Sequence, residues 1–202
     1  KRVVFNTTLA PLSLNRFDCE FETLKKKPSP ICNENATHFI FDSNSMHVEI
    51  NKTSGLVDSY KIDGVEYVKT GAFRLEIFKD DFDPWGMLVT GYREKLGEFR
   101  IATPKEAASF CCLDSIAPVH LIEGGAVRTI VEAIFCYNES KALVKYYMSK
   151  KDGLKIDVRI VWNEKQKMVK LAIPTVINAH TCIGEHPFGN ELLKNNMDEN
   201  VS

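Results

Sequence analysis

Three runs of strict alternation between residues 127 and 162 restrict what this chain can fold into more than anything else in it. Val127, Thr129, Val131, Ala133, Phe135 and Tyr137 take every second position of the first run. Ala142, Val144, Tyr146 and Met148 do the same in the second, after a polar Asn138-Glu139-Ser140-Lys141 turn. In the third, behind Lys151-Asp152-Gly153, Leu154, Ile156, Val158, Ile160 and Trp162 alternate with Lys155, Asp157 and Arg159. Successive side chains of a strand point to opposite faces, so each run reads as a strand with one apolar face. Strands of that kind, joined by short turns into an antiparallel set, need a second layer to cover them.

The first half of the chain follows the same rule. Met46, Val48 and Ile50 alternate with His47, Glu49 and Asn51, and residues 51–55 supply a polar turn. Asp63-Gly64 is a type I′ hairpin signal, because both residues tolerate positive φ. It stands between Tyr60 and Ile62 on one side and Val65 and Tyr67 on the other. Phe73, Leu75 and Ile77 form a further strand that runs out into Asp80, Asp81, Asp83 and Trp85, and a last strand is expected around residues 168–176. No amphipathic helix longer than two turns stands out. The fold class expected is all-β, a large antiparallel β-sandwich. Val158, Ile160 and Trp162 are expected deep in its core.

A chain of 202 residues buries about 70% of its unfolded surface and needs no disulfide or metal staple. The net charge of −1 gives no electrostatic case for nucleic acid or an anionic membrane. No apolar run approaches the roughly 20 residues that span a bilayer. Lys1-Arg2-Val3-Val4-Phe5 lacks the apolar core of a signal peptide. The missing initiator Met and the strand-like start suggest a fragment of a longer polypeptide. Lys25-Lys26-Lys27-Pro28-Ser29-Pro30 reads as a linker. Residues 1–30 are then the end of a preceding small β-unit plus linker. Residues 31–202 are the sandwich, expected to be truncated at its C-terminus.

The six cysteines form no Cys-x-x-Cys pair and fit no common zinc module. Cys136 falls inside a strand as a core thiol, while adjacent Cys111 and Cys112 would point to opposite faces of one. Reduced, structural cysteines in a cytoplasmic protein are the favoured reading. Five Asn-x-Ser/Thr sequons, at Asn6, Asn35, Asn51, Asn138 and Asn200, keep a secretory or lysosomal alternative open.

Candidate chemistry is sparse. His180-Thr181-Cys182-Ile183-Gly184-Glu185-His186 has ligand-type residues, but their spacing matches no helix-borne metal pair. Asp80, Asp81 and Asp83 lack the spacing of a calcium loop, which leaves a solvated or sugar-facing strand end. Carboxylates suit sugar hydroxyls, and the indole of Trp85, following Pro84 in a loop, suits a pyranose face. No catalytic residue and no metal site is assigned.

Four stretches in order resemble the β-sandwich region that follows the catalytic domain in glycoside hydrolase family 38 α-mannosidases: residues 47–60, 75–85, 124–131 and 155–173. Glu123-Gly124-Gly125-Ala126-Val127-Arg128 is similar to that family's Gly-Pro-Val-Arg entry into a long strand. The run from Ile156 to Glu164 resembles its "vdW-x-E" strand, and Lys170-Leu171-Ala172-Ile173-Pro174 its "lK-x-x-fP" run. Glu185-His186-Pro187-Phe188-Gly189 resembles a Pro-Phe/Tyr-Gly loop of the family. Asp83-Pro84-Trp85-Gly86 departs from the version richer in tryptophan and aspartate. The resemblance implies a supersandwich of the galactose-mutarotase-like kind, and an α-mannosidase as the parent enzyme, acting on terminal α-mannosides. It implies no cofactor on this fragment, with zinc in a missing catalytic domain, and as partners that domain of the same chain and mannose-containing glycans. Asp81, Asp83, Trp85, Glu185, His186 and Phe188 become carbohydrate-proximal candidates, with packing against the adjoining domain the favoured role for their loops. The alternative is an autonomous carbohydrate-binding or mutarotase-like module. That module would set a His against a Glu, for example His120 or His186 with Glu123 or Glu185.

Overall fold

The computed structural model describes residues 3–20, 22–23, 25–26, 29–82, 91–150 and 153–194. The alternating pattern of the first half folds as a meander. Strands β1 (Cys32–Glu34), β2 (His38–Asp42), β3 (Met46–Asn51), β4 (Val57–Ile62) and β5 (Val65–Glu66) lie in sequence order in one antiparallel sheet. Asp63 and Gly64 turn β4 into β5 with φ of 48° and 80°, the backbone that their sequence demanded. β6 (Arg74–Lys79) and β7 (Lys95–Glu98) follow, then β8 (Arg100–Ile101), helix α1 (Pro104–Cys111) and β9 (Val119–Gly124).

The three alternating runs become β10 (Arg128–Tyr137), β11 (Ser140–Ser149) and β12 (Gly153–Val161). They form a second sheet ordered β12-β11-β10-β8, with β9 also paired to β10. β13 (Lys167–Ala172) joins β6 and β7 in a three-stranded sheet, and β14 (Thr181–His186) pairs with β15 (Gly189–Lys194) in a separate ribbon. Bridges Val57↔Ala72 and Val68↔Thr175 tie the meander to the β6–β13 sheet. Every pairing between strands is antiparallel.

The two five-stranded sheets pack face to face. Phe41, Val48, Ile50 and Val57 of the meander meet Val131, Ala133, Phe135, Val144, Tyr146 and Met148 of the second sheet, with Leu75 and Ile77 beside them. Each of the Val, Leu, Ile, Phe and Met side chains among them contributes about 1.5–3 kcal/mol by leaving water. The fold is an all-β antiparallel sandwich. Among the described residues no helix is long and apolar enough to cross a membrane.

Two expectations need correcting. Ile160 is 37% exposed, and Val158 and Trp162 are only partly buried, because β12 is the margin of its sheet and among the described residues no strand pairs beyond it. Cys111 and Cys112 lie on no strand: Cys111 closes α1, and Cys112 caps it in the left-handed conformation with φ 54°. The helix itself is specified by Thr103, Pro104 and Glu106. Thr103 accepts from the Glu106 backbone, Glu106 reaches back to the Thr103 N–H, and Pro104 takes the first turn. α1 covers Ile134 and Cys136 on the outer face of β10 with Ala107 and Phe110. β10 is therefore buried on both faces along its middle, as its pattern of consecutive buried residues shows.

Candidate functional site

Asp81 is exposed, two residues past the end of β6, beside a shallow cleft lined with Lys79, Tyr92 and Arg93. Asp83 and Trp85 lie outside the described residues. Glu185 and His186 close β14, both exposed, and the His186 ring nitrogen Nδ1 lies 3.1 Å from the Pro187 carbonyl. Pro187 and Phe188 make the two-residue turn into β15, since His186 pairs with Gly189. Phe188 sits there at φ 72° with its ring fully exposed. A β-turn with positive φ at its third residue favours Gly, so an aromatic there is held at a cost of about 1–2 kcal/mol. The β14–β15 ribbon pairs with no strand of the sheet that holds β6. The sheet topology thus leaves Asp81 and the Glu185–His186–Phe188 group on separate units.

A different group is brought together on the outer face of the second sheet. Register sets His120 opposite Glu132, Glu132 opposite Lys145, and Lys145 opposite Asp157, a row across β9, β10, β11 and β12. Glu132 is 6% exposed. His120 Nε2 lies 3.4 Å from one of its carboxylate oxygens and Lys145 Nζ 3.3 Å from the other. Burial works to raise the Glu132 carboxyl, but hydrogen bonds from His120 and Lys145 and the Lys145 charge outweigh it and hold the group below its ordinary range. The carboxylate in turn holds the His120 imidazole above its ordinary value, and the ring's Nδ1 faces the Ala117 carbonyl at 2.9 Å.

Along the same face, Arg128 makes a two-pronged pair with Glu123 at 3.2 and 2.7 Å. Its guanidinium also lies 5.7 Å from the centre of the Tyr147 ring, and the Lys155 ammonium lies 5.7 Å from that ring too. The mutarotase-type pairing of His120 with Glu123 is therefore not formed: Glu132 takes the histidine, and Arg128 takes Glu123. Glu132 was missed in the sequence because it stands on the outward parity of an otherwise apolar strand. A lone carboxylate between Val131 and Ala133 was the signal, and β9 was needed to show its partner.

Other perturbed carboxylates fasten the scaffold. Asp58 accepts from His38 Nε2 at 3.0 Å, Asn51 Nδ2 at 2.9 Å and the Gly71 backbone at 3.0 Å. Glu66 accepts from the Ser59 hydroxyl and from the backbones of Tyr60, Tyr67 and Val68. In both, these donors overcome the burial that favours the neutral acid and hold the carboxyl below its ordinary range. Among the described residues no three His, Cys, Asp or Glu side chains converge as metal ligands. No protein-family model matches the chain, and no curated protein matches it in sequence.

Proposed function

We propose that this chain is a non-catalytic β-sandwich domain of a family 38 α-mannosidase, supporting or lining the cleft in which the full-length enzyme hydrolyses terminal α-mannosides. One observation carries the reading: the stretches that resemble the family are the ones that build the packed sheets. Residues 47–60 fall on β3 and β4, the 75–85 stretch begins in β6 with residues 75–79, residues 124–131 turn β9 into β10, and residues 155–173 run through β12 and β13. A resemblance spread in order over such long-range pairings is harder to obtain by chance than one confined to a single hairpin. In this reading Phe188, strained and exposed at the tip of its ribbon, is a contact to the catalytic domain or its glycan. In this reading zinc belongs to that other domain. A cytoplasmic location, with a secretory or lysosomal one as the alternative, goes with the same reading.

The mutarotase-like alternative has one observation in its favour, the juxtaposition of His120 and Glu132. A buried carboxylate held between two cations suits a structural network better than proton transfer to a sugar. The test is hydrolysis of an aryl α-mannoside, with added zinc, by this 202-residue chain and by the complete polypeptide of its reading frame. Turnover by the complete polypeptide alone is expected. Zinc-dependent turnover by the chain itself, or a complete polypeptide without an α/β zinc domain, overturns the reading.

A further inference from the structure

The margins of the two large sheets differ in kind. β1 has three residues, β5 two and β8 two, and the six of β9 meet β10 through a register shift. β12 has nine, in unbroken register with β11. Short or bulged edges resist further pairing, whereas a long regular one offers a row of backbone N–H and C=O groups to another strand. Among the described residues β12 pairs with β11 alone.

The side chains of β12 are uncovered as well. Buried and half-buried residues alternate along the whole of β11, but β12 ends in Arg159, Ile160 and Val161, exposed in succession on both faces. Ile160 is 37% and Val161 50% exposed. Leu154, Ile156, Val158 and Trp162, all of the core-facing parity, are only partly buried.

Charge decides what fits this edge. On the outer face Glu132, Lys145 and Asp157 alternate in sign from β10 to β11 to β12, and the row stops on Asp157. A further strand that continued the alternation would set a cation opposite Asp157. β12 carries that cation itself. When one β12 is laid antiparallel on another with Val158 at the centre, each Asp157 faces the Arg159 of the second copy. In the same register Ile156 faces Ile160 and Leu154 faces Trp162, so the core-facing row of each copy runs on into the other. Centring on Asp157 instead sets Lys155 against Arg159 and Asp157 against itself, which like-charge repulsion opposes. Centring on Ile156 pairs Lys155 with Asp157 but leaves Ile160 and Val161 beyond the paired stretch.

We infer that β12 is a self-association edge: two copies of this chain join β12 to β12, antiparallel about a two-fold axis at Val158, in one continuous sheet. The cross-axis Asp157–Arg159 pairs set the register, and the core-facing residues of β12 gain the cover that they lack in one copy. The inference goes beyond the mannosidase reading and stands without it.

The experiment is sedimentation velocity of the 202-residue chain over a range of concentrations. A junction of one strand pair is a small interface, below about 1,200 Å², so a reversible monomer–dimer equilibrium is expected at roughly micromolar to hundreds of micromolar protein. Arg159→Asp and Asp157→Arg should each weaken dimerisation about tenfold or more, since like charges then meet twice across the axis. Mixed in equal amounts, these two variants should associate with each other about as well as the parent does, because every like-charge contact becomes an opposite one. Arg159→Gln, which removes the pair without adding repulsion, should weaken dimerisation less than Arg159→Asp, and it keeps the result readable if the reversed charge disturbs the fold. Lys155→Glu should leave dimerisation unchanged, because Lys155 faces Val161 in this register. A chain that stays monomeric leaves the edge to a different strand and overturns the inference. So does dimerisation indifferent to both substitutions at Arg159, failure of the two charge variants to associate with each other, or loss of the dimer in Lys155→Glu.

Discussion

The phenol of Tyr146 donates a hydrogen bond to the carbonyl of Gly55, 2.8 Å away and 91 residues earlier in the chain, across the interface of the two large sheets. Tyr146 is fully buried, and burial alone pushes its hydroxyl far above the ordinary tyrosine range, so it is a donor at every pH the fold survives. Gly55 meets it at φ 73°, with room for no side chain: a Cβ there would lie 2.8 Å from Ile101 Cδ1 and 2.9 Å from Phe135 Cζ. The turn after β3 is thus pressed against β8 and β10, and the Tyr146–Gly55 hydrogen bond ties the two sheets at that contact.

Removing that donor leaves a buried carbonyl unpaired. Tyr146→Phe is expected to destabilise the chain by about 1–3 kcal/mol, read from urea unfolding. Gly55→Ala is expected to cost more, about 2–5 kcal/mol, from the left-handed backbone and the overpacking together. A Gly55→Ala variant as stable as the parent would mean the sheets do not approach this closely.

Near the start of β10 lies a buried polar atom without a counterpart among the described residues. Thr129 is fully buried and its hydroxyl has no hydrogen-bond partner among the described residues. Thr129→Val keeps the shape and removes the orphan, so unfolding should show no loss of stability and a gain of up to about 1 kcal/mol. A loss above about 1 kcal/mol would show that the hydroxyl is bonded in solution.

Much of this architecture was legible because period-2 patterning survives wherever one sheet face is covered and the other is wet. β3 and β11 follow from that rule alone, and the Asp63-Gly64 turn from its tolerance of positive φ. It failed at the margins. Ile160 has the parity of a core residue, yet burial depends on what lies opposite, which spacing along one strand does not encode. α1 escaped notice because an eight-residue helix is too short to show a helical period, although Thr103-Pro104-Lys105-Glu106 spells its start. The row of His120, Glu132, Lys145 and Asp157 was illegible for a deeper reason: its members come from four strands, and only the register joins them. The Asp81–Trp85 loop was legible as chemistry, but its tryptophan lies outside the described residues, and the topology sets its visible carboxylate apart from the β14–β15 ribbon.

The His120–Glu132 pair carries a pH signature. The Glu132 carboxylate raises the His120 imidazole above its ordinary 6.5, against the opposing Lys145 charge and partial burial. A group raised in the folded state stabilises fully below its unfolded value, and that stability disappears as pH climbs through the raised folded value. Stability should therefore fall by the His120 contribution as pH rises from the ordinary 6.5 through the raised folded-state value. NMR titration of the imidazole protons should place His120 above 6.5 in the parent and lower in Glu132→Gln. A histidine that titrates at its ordinary value in both proteins would sink the idea.

Phe188 offers the sharpest separation of structure from function at the ribbon. Its positive φ of 72° is strained for an aromatic residue, and among the described residues its exposed ring finds no packing to offset the strain. Gly at that position relieves about 1–2 kcal/mol, and because among the described residues β14 and β15 pair only with each other, the gain is local. Phe188→Gly in the 202-residue chain should slow amide exchange across the Thr181–His186 and Gly189–Lys194 strands and leave the global unfolding midpoint nearly unchanged. Under the mannosidase proposal, if the ribbon meets the catalytic domain or its glycan, the same substitution in the full-length enzyme should lower oligosaccharide cleavage. Trp85→Ala and His186→Ala should likewise impair cleavage of an oligosaccharide more than that of a simple aryl mannoside, since contacts to outer sugars supply binding energy used at the reacting bond. Equal losses on both substrates would leave the loops a packing role, and a full-length Phe188→Gly enzyme with unaltered kinetics would remove Phe188 from the functional surface.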